Sequence, residues 1–256
     1  MTVYISVILF VFGIIMGSFY NVVSLRLPQN KSIIKPGSHC DYCNTPLKWY
    51  ENIPLLSYLL QKGKCRHCHH DLPYDLFLSE LACGILFLFS YLYFGISYNF
   101  FVMLILSSLC ILIFISDFKF MIILDSPLII SVILIFILKI IYFDIKTAAL
   151  SLLYGLITFL VMLLVGFIGK KLYKREALGG GDIKLSFVIG MVLGIQVSMV
   201  ALIFSTFLAL PYALATIVLN KDNEVPFGPF IISSLFIVFL YYDKFYNIVK
   251  LFYLFD

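Results

Sequence analysis

Three glycines that lead directly into an aspartate are the first residues in this chain that suggest chemistry. The stretch Ala177–Leu185 reads ALGGGDIKL, and apolar residues follow Asp182. Glycine lacks Cβ, so it allows positive φ and the close approach of another backbone. In a chain that is 62% hydrophobic and 12% charged, we interpret Asp182 as one half of a catalytic pair. The loop residues expected to support it are Gly179, Gly180, Gly181 and Lys184.

A second carboxylate completes such a pair, and two aspartates at the edges of apolar runs are candidates. We expect Asp117, in the stretch Ile115–Lys119, to be the partner. Asp125 is the second choice, because the following Ser126-Pro127 is also typical of a helix start. Two close carboxylates share one proton, so one can activate water while the other protonates the amide. The pair predicts amide hydrolysis without a covalent intermediate. The competing interpretation of Asp117 is an interfacial residue that pairs with Lys119 or is simply hydrated.

Two CxxC pairs lie in Arg26–Asp75, the one long polar segment. They comprise Cys40, Cys43, Cys65 and Cys68. Two such knuckles bring four thiolates to one tetrahedral ion, which suits Zn²⁺, and a set of four protein ligands predicts a structural site. The alternatives are disulfides, which a reducing cytoplasm disfavours, and an iron–sulfur or redox centre. Neighbouring histidines could replace a cysteine, although we expect them to be solvated: His39, His67, His69 and His70. We expect Cys83 and Cys110, in apolar runs, to be buried.

The composition requires a membrane. A mean hydropathy of +1.04, with 26 Phe and 17 Tyr, excludes a soluble globular domain. Apolar runs of about 20 residues can span a bilayer, and lipid forces such spans to be helical. We therefore predict an all-α polytopic membrane protein with about eight transmembrane helices. The expected spans are 1–25, 76–95, 99–117, 121–142, 148–169, 183–195, 197–219 and 229–248. The split near Gly194 has the weakest signal, and the net charge of +4 suggests no nucleic-acid partner.

Most basic residues lie in or beside four of the segments between these spans. The segments are 26–75, 118–120, 170–182 and 220–228. The positive-inside rule places them in the cytoplasm and the N-terminus outside. Since the positive charge follows the first apolar run, we expect a retained helix rather than a cleaved signal peptide. The predicted domains are a first transmembrane helix (1–25), a cytoplasmic zinc-binding domain (26–75) and a catalytic transmembrane helical domain (76–256).

Four short motifs occur in order along nearly the whole chain. The first is Gly17-Ser-Phe-Tyr-Asn21 with Arg26-Leu-Pro28, and the second is the cysteine loop with Leu47-Lys-Trp49 and Asn52-Ile-Pro54. The third is the stretch Gly179–Leu185, and the fourth is Pro226-Phe-Gly-Pro229-Phe230. Together they resemble the type IV prepilin peptidases, a family of GxGD aspartic membrane proteases also called prepilin leader peptidase/N-methyltransferases.

The resemblance implies functional residues and a reaction. The catalytic acids would be Asp117 and Asp182, although the family's usual proline before Asp125 is replaced here by leucine. The substrate would be a prepilin or pseudopilin precursor, with a short basic leader that ends in glycine and precedes an apolar helix. Cleavage would occur on the cytoplasmic side of a bacterial inner membrane, in contact with the lipid bilayer. Many members also methylate the new N-terminus with S-adenosylmethionine.

A membrane transporter or channel is the alternative from another functional class. Its acids would bind ions, and its zinc loop would dock a partner. Transport acids tend to lie near the midplane of the membrane. The acids in this sequence are expected at one interface, beside a glycine loop, so the sequence favours the peptidase.

Overall fold

A computed structural model describes residues 2–174, 178–219 and 225–253. Parts of two predicted cytoplasmic loops, 175–177 and 220–224, lie outside the described residues. The described chain is almost entirely helical. Its α-helices are α1 (Thr2–Arg26), α2 (Leu56–Leu60), α3 (Tyr74–Phe94), α4 (Tyr98–Phe120), α5 (Asp125–Tyr142), α6 (Ile145–Tyr173), α7 (Gly180–Leu193), α8 (Ile195–Val218), α9 (Gly228–Leu240) and α10 (Tyr242–Tyr253).

Six of the described helices are long and apolar enough to cross a membrane: α1, α3, α4, α5, α6 and α8. A seventh span is present if the bent pair α9 and α10 is counted as one. The prediction of an all-α polytopic membrane protein is confirmed, and the predicted number of eight spans is approximate.

The two differences from the predicted spans lie in α7 and in the last pair of helices. Helix α7 has 14 residues, which gives about 21 Å at 1.5 Å per residue, less than the roughly 30 Å hydrocarbon core. Gly194, with φ of +77°, separates α7 from α8 at the point where the turn signal in the sequence is weakest. The predicted span 229–248 bends by 89° between α9 and α10. Asp243 and Lys244 follow the bend, and charged side chains are costly inside the bilayer.

The chain forms two compact units, Met1–Ile115 and Ser116–Asp256. In the first unit, α1 lies directly against α3. A Cβ on Gly17 would lie 2.9 Å from Cβ of Cys83 and 2.9 Å from Cα of Glu80, so only glycine permits this approach. Small residues at such contacts are typical of membrane helix pairs, because they let the backbones meet closely. The cysteine loop connects the two helices. The predicted division into 1–25, 26–75 and 76–256 stays a prediction.

In the second unit, the short helix α7 lies at the centre of the helices that surround it. The side chains of Leu185, Val188 and Met191 have no exposed surface. Helix α7 packs against α5, α6, α8 and α9. At its C-terminal end, Lys139 Nζ donates a 2.8 Å hydrogen bond to the Met191 carbonyl, which satisfies one of the carbonyls that a helix end leaves without a partner. Its N-terminal end carries Asp182.

Candidate active site and metal centre

The glycine stretch places Asp182 in the first turn of α7. Gly179 is the N-cap residue, and the helix begins at Gly180. The Asp182 side chain is buried, with 8% of the residue exposed. The partial positive charge of a helix N-terminus favours an acid in this turn. The glycine stretch therefore forms a helix start that holds the Asp182 carboxyl group away from water.

Gly181 allows the start of α7 to lie against the chain segment that precedes α5. A Cβ at this position would come within 2.7 Å of the Ile123 Cβ. At Gly180, by contrast, an added Cβ would meet no heavy atom within 4 Å. One glycine in the motif is therefore required for close packing, whereas its neighbour faces open space.

Asp117 lies in the last turn of α4 and is 5% exposed. Its Oδ2 accepts a 3.0 Å hydrogen bond from the backbone N–H of Gly228. Gly228 is the first residue of α9 and Pro229 follows it, so the N-terminus of a second helix points at this carboxylate. A proline in this turn fits because it lacks the N–H that would otherwise need a partner. The sequence identified the motif at 226–230 but not this contact.

Asp117 and Asp182 are both buried. The two side chains belong to the same compact unit, and their carboxyl groups interact electrostatically. Each carboxyl group also has a backbone partner, Gly228 for Asp117 and Gly179 for Asp182. Two buried acids at helix ends, close enough for their charges to interact, are candidates for a pair that shares a proton.

Asp125 lies outside this pair. Its two carboxylate oxygens accept hydrogen bonds of 2.7 and 2.8 Å from Lys184 Nζ, and both side chains are more than half exposed. The ion pair connects the start of α5 to the first turns of α7. Lys184 is two residues from Asp182, so its ion pair with Asp125 fastens α7 close to that acid.

Glu80, another acid inside an apolar run, lies in the first unit. It is buried, and its Oε2 accepts a 2.8 Å hydrogen bond from the Leu55 backbone N–H. Leu55 has a φ of +59°, a strained conformation for a residue with a branched side chain. The contact secures the cysteine loop to α3.

A cavity of about 550 Å³ opens beside Asp182. Its walls come from α6, α8, the start of α7 and the segment before α9. Apolar side chains form most of the lining, among them Met162, Met199, Leu202 and Phe227. A carboxyl group on the wall of an apolar cavity is the usual form of a binding or catalytic site.

The four predicted metal ligands converge in the loop between α1 and α3. Their sulfur atoms all lie within 4.8 Å of one another, and those of Cys40 and Cys68 are 3.8 Å apart. A tetrahedral ion with bonds of about 2.3 Å separates its sulfur ligands by about 3.8 Å, so the cluster fits a metal. All four cysteines are free thiols rather than disulfides. In the described part of the loop, the cluster contains no histidine.

The two knuckles are copies of one local structure. Each first cysteine accepts a hydrogen bond from the backbone N–H four residues later, Asn44 in one knuckle and His69 in the other. Both of these residues have a φ near +55°. An isolated bridge closes each knuckle, His39 with Pro46 and Lys64 with Asp71. The two CxxC segments therefore adopt the same backbone conformation, and each directs its sulfurs toward the four-sulfur cluster.

The protonation of the cluster also suits a cation. Hydrogen bonds with Thr45 lower the pKa of the Cys43 thiol to about 6. A hydrogen bond with the His70 backbone lowers the pKa of the Cys68 thiol, but the neighbouring sulfurs outweigh it and raise the pKa to about 11. Crowded thiolates repel one another, and a bound cation removes that repulsion. The residues present therefore fit a metal ion.

Side chains around the second knuckle support it. Glu51 is buried, and its carboxylate accepts a 2.9 Å hydrogen bond from the Lys48 backbone N–H. It also lies 3.6 Å from His67 Nε2. The ring of His70 stacks on Tyr42, which joins the two knuckles. His67, His69 and His70 are exposed, as expected for solvated residues.

Comparison with known proteins gives the family. The model for the bacterial peptidase A24 N-terminal domain matches residues 11–94, and that for the type IV leader peptidase family matches residues 104–214. A prepilin leader peptidase/N-methyltransferase from Bacillus subtilis is 35% identical over 240 residues, which cover 93% of this chain and 94% of the relative.

This chain belongs to the type IV leader peptidase family. A Vibrio cholerae prepilin leader peptidase/N-methyltransferase is 33% identical, covering 92% of this chain and 97% of the relative. One from Neisseria gonorrhoeae is 29% identical, covering 94% and 92%. No solved structure matches this chain.

Membership in the leader peptidase family confirms the predicted enzyme class and a multi-pass membrane protein of the bacterial inner membrane. The relatives' names support the processing of type IV prepilins. They also associate an N-methyltransferase activity with this family. The transporter or channel alternative is not favoured.

Proposed function

We propose that this chain hydrolyses one peptide bond of a prepilin or pseudopilin precursor, with Asp117 and Asp182 as the reacting pair. The single observation that carries the proposal is the placement of two buried acids in one compact unit, near enough for the charge of Asp117 to act on Asp182. Asp182 lies at the start of α7, and Asp117 accepts a hydrogen bond from the start of α9. Two carboxylates in this arrangement titrate as a unit, so the pair rather than either residue carries the shared proton.

The proposed chemistry needs only this pair and a water molecule. The ionised carboxylate takes a proton from water, and the water oxygen attacks the carbonyl carbon of the scissile amide. The protonated carboxyl group donates its proton to the carbonyl oxygen. In the second step, the carboxyl group that took the proton from water protonates the amide nitrogen, while the other carboxylate takes a proton from a hydroxyl of the tetrahedral intermediate. The C–N bond then breaks to give an amine and a carboxylic acid. The Gly228 N–H keeps Asp117 oriented throughout, because it belongs to a helix start rather than to a mobile side chain.

The substrate assignment rests on the relatives, which are named prepilin leader peptidases. We infer cleavage after a glycine that ends a short basic leader. The reaction would take place on the cytoplasmic side, as the basic segments and the positive-inside rule predict. The acids lie at helix ends rather than mid-helix, which is consistent with a reaction at one membrane interface.

We also propose that Zn²⁺ is the ion held by Cys40, Cys43, Cys65 and Cys68, in a structural role. Four sulfur ligands suit zinc and complete its tetrahedral shell. When bound, the ion supplies folding free energy to a loop that has few buried side chains of its own. It takes no part in the hydrolysis.

An N-methylation of the new N-terminus by S-adenosylmethionine is proposed on the names of the relatives. A methyl group would pass from the donor's sulfonium to the amine that cleavage exposes. Because the amine arises only after hydrolysis, the methylation depends on the peptidase step.

One experiment tests cleavage and methylation together. The purified protein in phospholipid vesicles is incubated with a prepilin precursor, with and without S-adenosylmethionine, and the products are analysed by mass spectrometry. We expect a new N-terminus immediately after glycine, and an added methyl mass only when the donor is present. An intact precursor under all conditions would contradict the peptidase, and a cleaved but unmethylated product would contradict the transferase alone.

A further inference from the structure

The cavity beside Asp182 has a buried floor and an exposed mouth. On the floor, Met162 is 9% exposed and Leu202 is 8% exposed. At the mouth, Val165 of α6 is 48% exposed and Ile203 of α8 is 60% exposed. The exposed edge of the cavity therefore includes side chains of two helices that are both long enough to cross the membrane.

We propose that this cavity binds the apolar residues that adjoin the scissile bond of a membrane-inserted polypeptide, and that these residues enter sideways from the lipid between α6 and α8. The proposal rests on the proposed function, because it uses Asp182 as a reacting group.

The position of Asp182 implies that part of the substrate occupies the cavity. A peptide bond that reacts at this carboxyl group must have its neighbouring residues within a few ångströms, since an extended chain advances about 3.3–3.6 Å per residue. Asp182 is part of the cavity wall. The residues next to the scissile bond on one side therefore occupy this space.

The lining defines which residues fit. It is formed mostly by aliphatic side chains and two methionines, Met162 and Met199. Methionine is flexible and polarizable, so it adapts to apolar groups of different shapes. A volume of about 550 Å³ holds several apolar side chains, as expected for one turn or more of a hydrophobic segment rather than a single side chain. Charged residues would lose their hydration in this cavity.

The exposed mouth indicates the route. Val165 and Ile203 lie on apolar helices that face lipid wherever they are not packed against protein. A polypeptide whose apolar segment is already in the bilayer can reach this opening without passing through water. A soluble peptide would have to cross the apolar surface around the mouth.

Tryptophan substitutions at the mouth test the route. Val165→Trp and Ile203→Trp place a large ring in the opening. Leu164→Trp is the matched control, because Leu164 is 57% exposed on the same helix and does not line the cavity. The substrate is a prepilin precursor with its apolar segment intact, in phospholipid vesicles. We expect roughly a tenfold higher KM for the two mouth variants, with kcat within a few-fold and the control unchanged.

Either of two results would overturn the proposal: unchanged KM in both mouth variants, or an equal increase in the Leu164→Trp control. A second measurement does not depend on turnover. A photo-crosslinking amino acid replaces Ile203 in an Asp182→Asn background, and crosslinked products are mapped by mass spectrometry. We expect crosslinks to precursor residues that adjoin the scissile bond. Crosslinks to lipid alone would overturn the proposal, whereas full cleavage by Asp182→Asn would instead contradict the proposed function.

Discussion

The start of α7 should tolerate a methyl group at Gly180 but not at Gly181. A Cβ at position 181 would lie 2.7 Å from the Ile123 Cβ, whereas apolar carbons rest about 3.5–4.0 Å apart. The helix start that carries Asp182 must therefore retreat by about 1 Å. A displacement of that size at a reacting group costs on the order of 100-fold in rate, or about 2.7 kcal/mol of activation free energy.

Gly180→Ala is the matched control for Gly181→Ala, because an added Cβ at Gly180 meets nothing within 4 Å. Alanine is also the better helix former at both positions, by about 1 kcal/mol. Rates of precursor cleavage are measured for both variants in vesicles, together with their membrane levels. The double variant Gly181→Ala with Ile123→Gly should recover part of the lost rate, since the second change removes the atom in conflict. Wild-type rates for Gly181→Ala, or an equal loss for Gly180→Ala, would contradict a steric conflict between position 181 and Ile123.

Two further predictions concern the ion pair and the metal. Asp125→Lys and Lys184→Asp should each lower the cleavage rate by two- to fivefold, because an exposed ion pair is worth up to about 1 kcal/mol. The combined charge swap should restore the rate. A double variant slower than both single variants would contradict a positioning role for the ion pair. Elemental analysis should find about one zinc ion per chain. Cys40→Ser should lose both the metal and thermal stability, whereas the control Cys110→Ser should keep both. A wild-type protein that is stable without metal would contradict the structural zinc site.

Features with local signals could be predicted from the sequence. The CxxC spacing is enough to form each knuckle, because the backbone hydrogen bonds that shape it span only four residues. The sulfur cluster of Cys40, Cys43, Cys65 and Cys68 was therefore predicted correctly. Long apolar runs likewise predict membrane helices because lipid leaves the backbone no other partner.

Contacts between distant residues could not be predicted in this way. The hydrogen bond from Gly228 to Asp117 joins residues 111 positions apart, and the ion pair from Lys184 to Asp125 joins residues 59 apart. No periodicity or spacing encodes such meetings, which depend on how the helices pack. Asp125 therefore remained a candidate acid in the sequence, and its role as a partner of Lys184 emerged only in three dimensions.

The bend between α9 and α10 was missed for a related reason. Hydropathy averaged along 229–248 stays high, because the isoleucine, leucine, valine and phenylalanine residues of 230–240 outweigh the few charges. Asp243 and Lys244 come soon after the bend, where charged groups would be costly inside a straight membrane span. Length alone could not separate one straight span from a bent pair.

Whether Asp117 and Asp182 act as one hydrolytic pair is tested most directly by precursor cleavage with three matched aspartate variants. Asp117→Asn, Asp182→Asn and Asp125→Asn are compared at equal membrane levels, with the new N-terminus quantified by mass spectrometry. The account predicts a loss of at least about 100-fold for the first two, and retained cleavage for Asp125→Asn. Full cleavage by Asp117→Asn or by Asp182→Asn would contradict it.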